Sequence, residues 1–287
     1  MLTALRRALA DAGLATAHSR VACNVLLNEH RVAHAFVDGR FVVARVLEAG
    51  AAAREHAALR DAFAVLGHAV PEPLALVHVD GTAFLFCRGV THRPAQLEAV
   101  AAGPLWRNII DDLNSCAAAF VVAPGGASHV DTARGVVHRY AHEPFAAVLA
   151  GWIDEAAARL DHLPHVRQHG DFVANNVGLT ARGPVYFDWE DFGRVTLPWF
   201  DLVTLAGSAA GFDAGRLIGG PLPDALESRL TRERLSVPGY VLLCLATFLD
   251  VKERHGYGAG IIDRVRHCAD ELAAGMRERA RSEARAS

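Results

Sequence analysis

Residues 168–193 read QHGDFVANNVGLTARGPVYFDWEDFG, and they carry more information about the architecture than any other segment. Asp171 follows a His-Gly pair, Asn176 comes five residues later, and Asp188 ends the second of two short apolar runs. A tight turn between those runs would form a hairpin that brings the Asn176 amide and the Asp188 carboxylate together. One carboxylate that accepts a hydroxyl proton and two oxygen ligands for Mg²⁺ are the groups that phosphoryl transfer from a nucleotide requires.

This block resembles the catalytic segment of the aminoglycoside phosphotransferase and choline kinase family. The family pattern is H-G-D-x-x-x-x-N, then a strand, then I-D-W/F-E, and HGDFVANN and FDWED match its defining positions. The resemblance implies an α+β, protein-kinase-like fold that binds ATP or GTP between a small antiparallel sheet lobe and a larger helical lobe. It also implies that Asp171 is the catalytic base, that Asn176 and Asp188 hold Mg²⁺, and that His169 and Asp201 brace the catalytic loop.

A second aspartate competes with Asp188 for the metal. Asp191 begins the tripeptide D-F-G that protein kinases use at this point, whereas Asp188 directly ends the strand run PVYF and begins a D-W-E run. A ligand at the end of a strand is held rigidly, so we assign the metal to Asp188. Asp191 or Glu190 is left as a secondary ligand or a contact to the acceptor.

The N-terminal residues predict a small antiparallel sheet. Three apolar runs between residues 21 and 47 are separated by turns, one of them Asp38-Gly39, a favoured two-residue hairpin turn. Residues 51–66 have the spacing of a helix, and a second hairpin over 74–87 returns to the sheet.

Arg45 and Glu55 are the candidate nucleotide contacts of this region. In kinase-like folds a basic residue on the third strand contacts the phosphates and pairs with a Glu on the next helix. Arg45 stands where Lys is more usual, but only one of the 29 basic residues of the chain is a lysine, Lys252. The first hairpin turn, residues 28–30, lacks the glycines of a protein-kinase phosphate cover. Whether these two departures reduce activity is left open.

The predicted lobes are residues 1–88, which bind the nucleotide, and residues 89–287, which hold the catalytic loop and the acceptor site. Residues 89–287 carry 20 basic and 24 acidic residues, because 9 of the 29 basic and 8 of the 32 acidic residues precede them. A mildly acidic acceptor side would suit a cationic antibiotic or amino alcohol, but the excess is too small to decide against a neutral sugar. The predicted acceptor is an aminoglycoside-like antibiotic or a related small metabolite. A kinase for a sugar or an amino alcohol is one alternative. A catalytically inactive, nucleotide-binding scaffold is another.

Composition argues against several other classes of protein. The 287 residues are 52% hydrophobic and 21% charged, which is typical of a globular chain. A net charge of -3 provides no polyelectrolyte for binding nucleic acid or an anionic membrane. The apolar runs are shorter than the ~20 residues that span a bilayer, and the first residues lack the apolar run of a secretory signal. We therefore expect a cytoplasmic protein with neither a nucleic acid nor a membrane as partner, and the oligomeric state is left open.

Overall fold

A computed structural model describes residues 2–26, 32–95, 103–123, 128–220, 222–254 and 258–286. The chain divides into two compact parts. The sheet part comprises Met1–Pro94 and Asn176–Phe192, and the helical part comprises Ala95–Asn175 and Gly193–Ser287. The division into lobes at residues 88 and 89 stays a prediction, and the glycine-free turn at residues 28–30 lies outside the described residues.

The sheet part begins with helix α1 (Leu2–Asp11) and continues into a five-stranded sheet. Its strands are β1 (Val21–Leu26), β2 (Val32–Val37), β3 (Arg40–Leu47), β4 (Pro73–Val79) and β5 (Thr82–Arg88). The strand order is β1-β2-β3-β5-β4, every pairing is antiparallel, and helix α2 (Ala49–Leu66) connects β3 to β4. The predicted three strands, helix and returning hairpin are confirmed.

Two hairpins of this sheet turn at Asp-Gly pairs. Asp38 and Gly39 have φ angles of 49° and 80°, and Asp80 and Gly81 have φ angles of 51° and 78°. Two successive left-handed residues match the right-handed twist of the flanking strands, and Asp and Gly tolerate this conformation better than most residues. The local sequence therefore sets the register of both hairpins.

Strand β3 separates the core of the sheet part from its polar face. Val42, Ala44 and Val46 are buried in one hydrophobic cluster with Leu9 of α1. Because successive side chains of a strand point to opposite faces, Arg45 lies on the face turned away from that cluster.

The other strands of the described chain are short. They are β6 (Arg93–Pro94), β7 (Val121–Val122), β8 (His165–Val166), β9 (Val177–Thr180) and β10 (Gly183–Tyr186). In the sheet part, β10, β9 and β6 form an antiparallel sheet, so the hairpin predicted within residues 168–193 is present. In the helical part, β7 pairs with β8.

Eight helices make up most of the described helical part. They are α3 (Gly103–Ala119), α4 (His129–Arg139), α5 (Pro144–Asp161), α6 (Phe200–Ala209), α7 (Ala214–Gly219), α8 (Leu222–Arg232), α9 (Val237–Arg254) and α10 (Ala259–Ala286). Helix α9 is buried along most of its length and packs against α10, while α4 packs against α5. The fold is thus the predicted α+β class, with a small antiparallel sheet and a larger helical part.

No single helix of the described chain is both long and apolar enough to cross a membrane. One bent pair passes that test jointly, by length and composition alone: Asp224–Arg232 with Val237–Arg254, at an angle of 104°. The cytoplasmic location stays a prediction.

Candidate active site

Arg45 is the centre of an acidic cluster in the sheet part. Its Nη1 lies 2.5 Å from Oε1 of Glu55 and 2.9 Å from Oδ1 of Asp188, and its Nη2 lies 3.2 Å from Oε2 of Glu190. The pairing of Arg45 with Glu55 that the strand pattern predicted is therefore present. The contacts to Asp188 and Glu190 were not predicted, and they make one guanidinium the shared partner of three carboxylates.

The charges of this cluster are unbalanced. Burial raises the pKa of the Glu55 carboxyl to about 7 although Arg45 opposes the shift, and Asp188 and Glu190 raise that pKa further. Burial by itself would lower the pKa of Arg45, but the three carboxylates outweigh it and the pKa of the guanidinium is raised. One permanent positive charge therefore faces three acidic groups, an arrangement that favours an additional cation nearby.

Asp188 is held in an uncommon backbone conformation just after β10. Its φ of 66° is left-handed, which is rare for a residue other than glycine and costs free energy unless the surroundings enforce it. The backbone N–H of the preceding residue, Phe187, donates to the carbonyl of Asn176 at 2.9 Å. This bond ties the two predicted metal ligands into one hairpin.

A cavity of about 570 Å³ opens beside these residues within the sheet part. Strands β2 and β3, helix α2 and the segment after β5 supply most of its walls, which are mainly apolar. The lining residues are Val32, His34, Phe41, Val43, Arg45, Glu55, Leu59, Pro71, Cys87, Arg88, Val90, Thr91, His92, Asn176, Phe187 and Asp188. Arg45, Glu55, Asn176 and Asp188 are thus brought to one cavity, and its volume is in the range typical of small-ligand sites.

The two alternatives to Asp188 are placed differently from it. Asp191 is completely buried, and it is not among the residues that line the cavity. Glu190 contacts Arg45 and is also absent from the lining. The geometry thus favours Asp188 as the carboxylate that faces a ligand.

Asn176 and Asp188 fit Mg²⁺ better than a metal ion whose ligands all come from the protein. Among the residues that the structure describes, no group of three or more His, Cys, Asp or Glu side chains could hold a metal ion. Asn176 and Asp188 offer one amide oxygen and one carboxylate, which are hard ligands of the kind Mg²⁺ prefers. Since Mg²⁺ usually takes several further ligands from water and substrate phosphates, two protein ligands fit that ion.

Asp171 lies in the helical part, in a loop that is hydrogen-bonded to α6. Both carboxylate oxygens of Asp201 accept hydrogen bonds from that loop, from the N–H of His169 at 2.6 Å and from the N–H of Gly170 at 3.1 Å. The N–H of Asp171 donates to Nδ1 of His169 at 3.3 Å. The predicted hydrogen bonding of Asp201 to the loop is confirmed.

Replacing Asp201 with Asn is expected to destabilise the helical part by about 1–3 kcal/mol, because an amide presents one oxygen where two N–H groups need acceptors. Asp201 is 4% exposed, and this burial raises the pKa of its carboxyl. Denaturant unfolding would measure the loss. Asp111→Asn, on the exposed side of α3, is the control and should change stability by less than about 0.5 kcal/mol. Equal stability of the two variants would contradict the fastening role of Asp201.

Sequence reasoning missed one residue beside Asp171. Nζ of Lys252, on α9, lies 2.5 Å from Oδ1 of Asp171, and both side chains are almost fully buried. Lys252 is the one lysine among the 29 basic residues of the chain. This single use of lysine was the sequence feature that could have pointed to a special role for Lys252.

Comparison with known proteins gives one family and a set of structural relatives. The family model described as the phosphotransferase enzyme family (APH) matches residues 29–236, and no curated protein sequence matches significantly. A thermostable mutant of aminoglycoside phosphotransferase APH(4)-Ia, in a ternary complex with ADP and hygromycin B, is similar in structure. It is 16% identical, with a TM-score of 0.58 over 94% of this chain and 97% of that chain.

The choline kinase LicA from Streptococcus pneumoniae is also similar in structure, with 13% identity and a TM-score of 0.61 over 94% of this chain and 98% of that chain. At these identities the structural likeness shows the fold, which is the kinase-like fold that the sequence predicted. The family match covers most of the chain, so it shows the family as well as the fold. This chain belongs to the phosphotransferase enzyme family and acts as a small-molecule phosphotransferase on a hydroxyl group.

Proposed function

We propose that this protein transfers the γ-phosphate of ATP or GTP to a hydroxyl of an aminoglycoside-like antibiotic or a related small metabolite. The observation that carries the proposal is the cavity of the sheet part, where Arg45, Glu55, Asn176 and Asp188 are lining residues together. A cavity whose walls combine apolar surface with charged and polar side chains suits a nucleotide, whose base is flat and apolar and whose phosphates are charged.

Arg45 is the proposed phosphate contact. Its guanidinium has several N–H donors in one plane, which suits the oxygens of a phosphate, and Glu55 holds it from the buried side. The APH(4)-Ia structures contain ADP in one complex and AMP-PNP in another, which supports a nucleotide as the ligand of the corresponding fold.

Asn176 and Asp188 are the proposed Mg²⁺ ligands. When bound, Mg²⁺ would neutralise negative charge on the phosphate oxygens. The excess of carboxylates around Arg45 supports this assignment, because a divalent cation would balance it.

Asp171 is the proposed base. It accepts the proton of the acceptor hydroxyl while that oxygen bonds to the γ-phosphorus and the bond from phosphorus to the leaving diphosphate oxygen breaks. Asp171 lies in a loop that hydrogen bonds to Asp201 hold in place, which supports the role, since a base must be oriented accurately toward the hydroxyl.

A cationic acceptor is proposed from the acidic balance of residues 89–287. Hygromycin B is bound in the APH(4)-Ia complex, and LicA is a choline kinase, so relatives of this fold include an aminoglycoside enzyme and an amino-alcohol enzyme. An amino alcohol therefore stays the second candidate. An inactive scaffold is disfavoured because Asp171, Asn176 and Asp188 are all present.

A phosphorylation screen tests the proposal. The purified protein is incubated with ATP or GTP and with aminoglycosides, other antibiotics, sugars and amino alcohols, and phosphorylated products are detected by mass spectrometry. We expect a product with at least one hydroxylated cation, formed much more slowly by Asp171→Asn. Phosphorylation of neutral sugars alone would contradict the acceptor class, and the absence of any product and of MgATP hydrolysis would contradict the enzyme.

Arg45→Ala is expected to raise the apparent KM for ATP and to lower turnover, with a loss of about 10²-fold in kcat/KM, because a charge that stabilises the phosphates is removed. Glu55→Ala should give a similar defect. The double variant should be little worse than either single variant, since the two residues act as a unit. Steady-state kinetics over a range of ATP concentrations would measure all three.

Arg45→Lys separates charge from geometry. The guanidinium reaches Glu55 and Glu190 through different nitrogens, so we expect an ammonium to recover only part of the lost activity. Arg40→Ala, at the exposed start of the same strand, is the matched control and should leave the kinetics unchanged. Wild-type kinetics in Arg45→Ala would remove Arg45 from the site.

A further inference from the structure

Lys252 is unusual in two ways: it is the one lysine of the sequence, and it is buried. It is one lysine among 29 basic residues, and the other 28 are arginines. Its residue exposure is 1%, although lysine is rarely buried without a partner. A chain that uses arginine nearly everywhere has a lysine at a buried position, which indicates a specific requirement there.

The surroundings of Lys252 identify the partner of its charge. Nζ lies 2.5 Å from Oδ1 of Asp171, whose side chain is 5% exposed, and 5.1 Å from the centre of the Phe248 ring on the same helix. Burying an ion pair carries a large desolvation cost for each ion, which the mutual attraction offsets only with good geometry. A hydrophobic pair would fill the same space at lower cost, so stability alone does not explain the charges.

We propose that Lys252 is a positioning residue for Asp171: its ammonium holds the carboxylate in one orientation and balances its charge within the helical part. This inference rests on the proposed function, in which Asp171 is the base. A carboxylate has lone pairs for several contacts, so Asp171 can form its ion pair with the ammonium at Oδ1 and still accept a hydrogen bond from the acceptor hydroxyl. Lys252 acts on the reaction through Asp171 and touches no reacting atom.

The compact head group of lysine suits this buried position, where Phe248 lies against the ammonium. An ammonium is compact and has three donors, whereas a guanidinium is planar and has five. A buried guanidinium would need more acceptors and more volume, and the α9 neighbours of Lys252 include the apolar Phe248 and Leu249. Lys252→Arg is therefore expected to impair turnover although it keeps the charge.

The kinetic test uses MgATP with water as the acceptor, so it does not depend on identifying the natural acceptor. We expect Lys252→Met to lower kcat by about 10- to 100-fold, the range typical of groups that contact a functional side chain and fix its orientation. The KM for ATP should stay within about threefold of wild type, because an interaction made only in the transition state affects kcat. Lys252→Arg should also stay well below wild type.

A double variant separates positioning from folding. In the Asp171→Asn background, Lys252→Met should lower kcat by less than about twofold, because the group it positions is already gone. Removing both charges should also recover thermal stability lost in Lys252→Met, while turnover stays low.

Asp250→Asn is the matched control, since Asp250 is a buried charged residue of the same helix that pairs with Arg139 and Arg254. It should lower stability and leave kcat unchanged.

A spectroscopic readout follows from the composition. Protein grown with ¹⁵N-lysine contains a single labelled side chain, so the Nζ resonance needs no assignment. We expect Asp171→Asn to shift this resonance and Asp250→Asn to leave it in place.

Three outcomes would overturn the inference. Wild-type kcat in folded Lys252→Met, with Asp171→Asn inactive, would reject it while the proposed function stands. An Nζ resonance insensitive to Asp171→Asn would reject the contact. Wild-type turnover in Asp171→Asn would reject the proposed role of Asp171 and the inference with it.

Discussion

Asp171→Asn is expected to lower phosphoryl transfer by about 10²- to 10⁴-fold, the contribution typical of a positioned general base. The substitution keeps the volume of the side chain and one oxygen, but it replaces the carboxylate that would accept the hydroxyl proton with a neutral amide. Affinity for MgATP should be close to wild type, because the proposed nucleotide and metal contacts belong to the sheet part. Single-turnover transfer from radiolabelled ATP would measure the rate, and calorimetry would measure the affinity.

The ion pair with Lys252 adds a consequence for stability. Asp171→Asn leaves the buried ammonium beside a neutral amide, and removing one partner of a buried pair destabilises by up to about 3–5 kcal/mol. Rates must therefore be measured below the unfolding temperature of the variant, determined by circular dichroism. Near wild-type turnover in the folded variant would show that Asp171 is not the base.

Asp188→Ala is expected to abolish the metal-dependent part of nucleotide binding and to lower transfer by about 10²- to 10³-fold. One anionic ligand of the proposed Mg²⁺ site is lost, and with it much of the electrostatic stabilisation of the transferring phosphate. Calorimetry of ATP binding with Mg²⁺ and with a chelator would measure the metal-dependent difference directly. In the variant, the two titrations should give nearly the same affinity.

Glu190→Gln and Asp191→Asn are the controls for Asp188→Ala. Both remove a carboxylate charge within three residues of Asp188, but neither residue lines the cavity. We expect much smaller effects on MgATP binding from either. A larger loss in Asp191→Asn than in Asp188→Ala would show that the D-F-G aspartate holds the metal and that the assignment to Asp188 is wrong.

The fold was predictable because its signals are local. The Asp-Gly pairs set two hairpins, and the alternation along Arg40–Leu47 separated the buried residues from Arg45. The block at 168–193 was readable for the same reason, since a hairpin brings Asn176 and Asp188 together over twelve residues. The family model matches residues 29–236, a range that includes this block.

The contacts that the sequence analysis missed join residues that are distant along the chain. Arg45 contacts Asp188 and Glu190 across 143 and 145 positions, and no local pattern relates a strand residue to either of them. Lys252 on α9 contacts Asp171 in a loop, and helical spacing could not show which buried group that lysine would meet.

By itself, then, the sequence determined the class of fold and the order of its elements, and it predicted which block carries the chemistry. These depend on hydrophobic periodicity, on turn residues and on spacings within short segments. Only the tertiary structure decided that Arg45 is shared by three carboxylates and that the single lysine is buried against Asp171. Such pairings arise because packing of the apolar faces fixes which distant polar groups are desolvated together, and a buried charge is stable only beside a partner that the same packing provides.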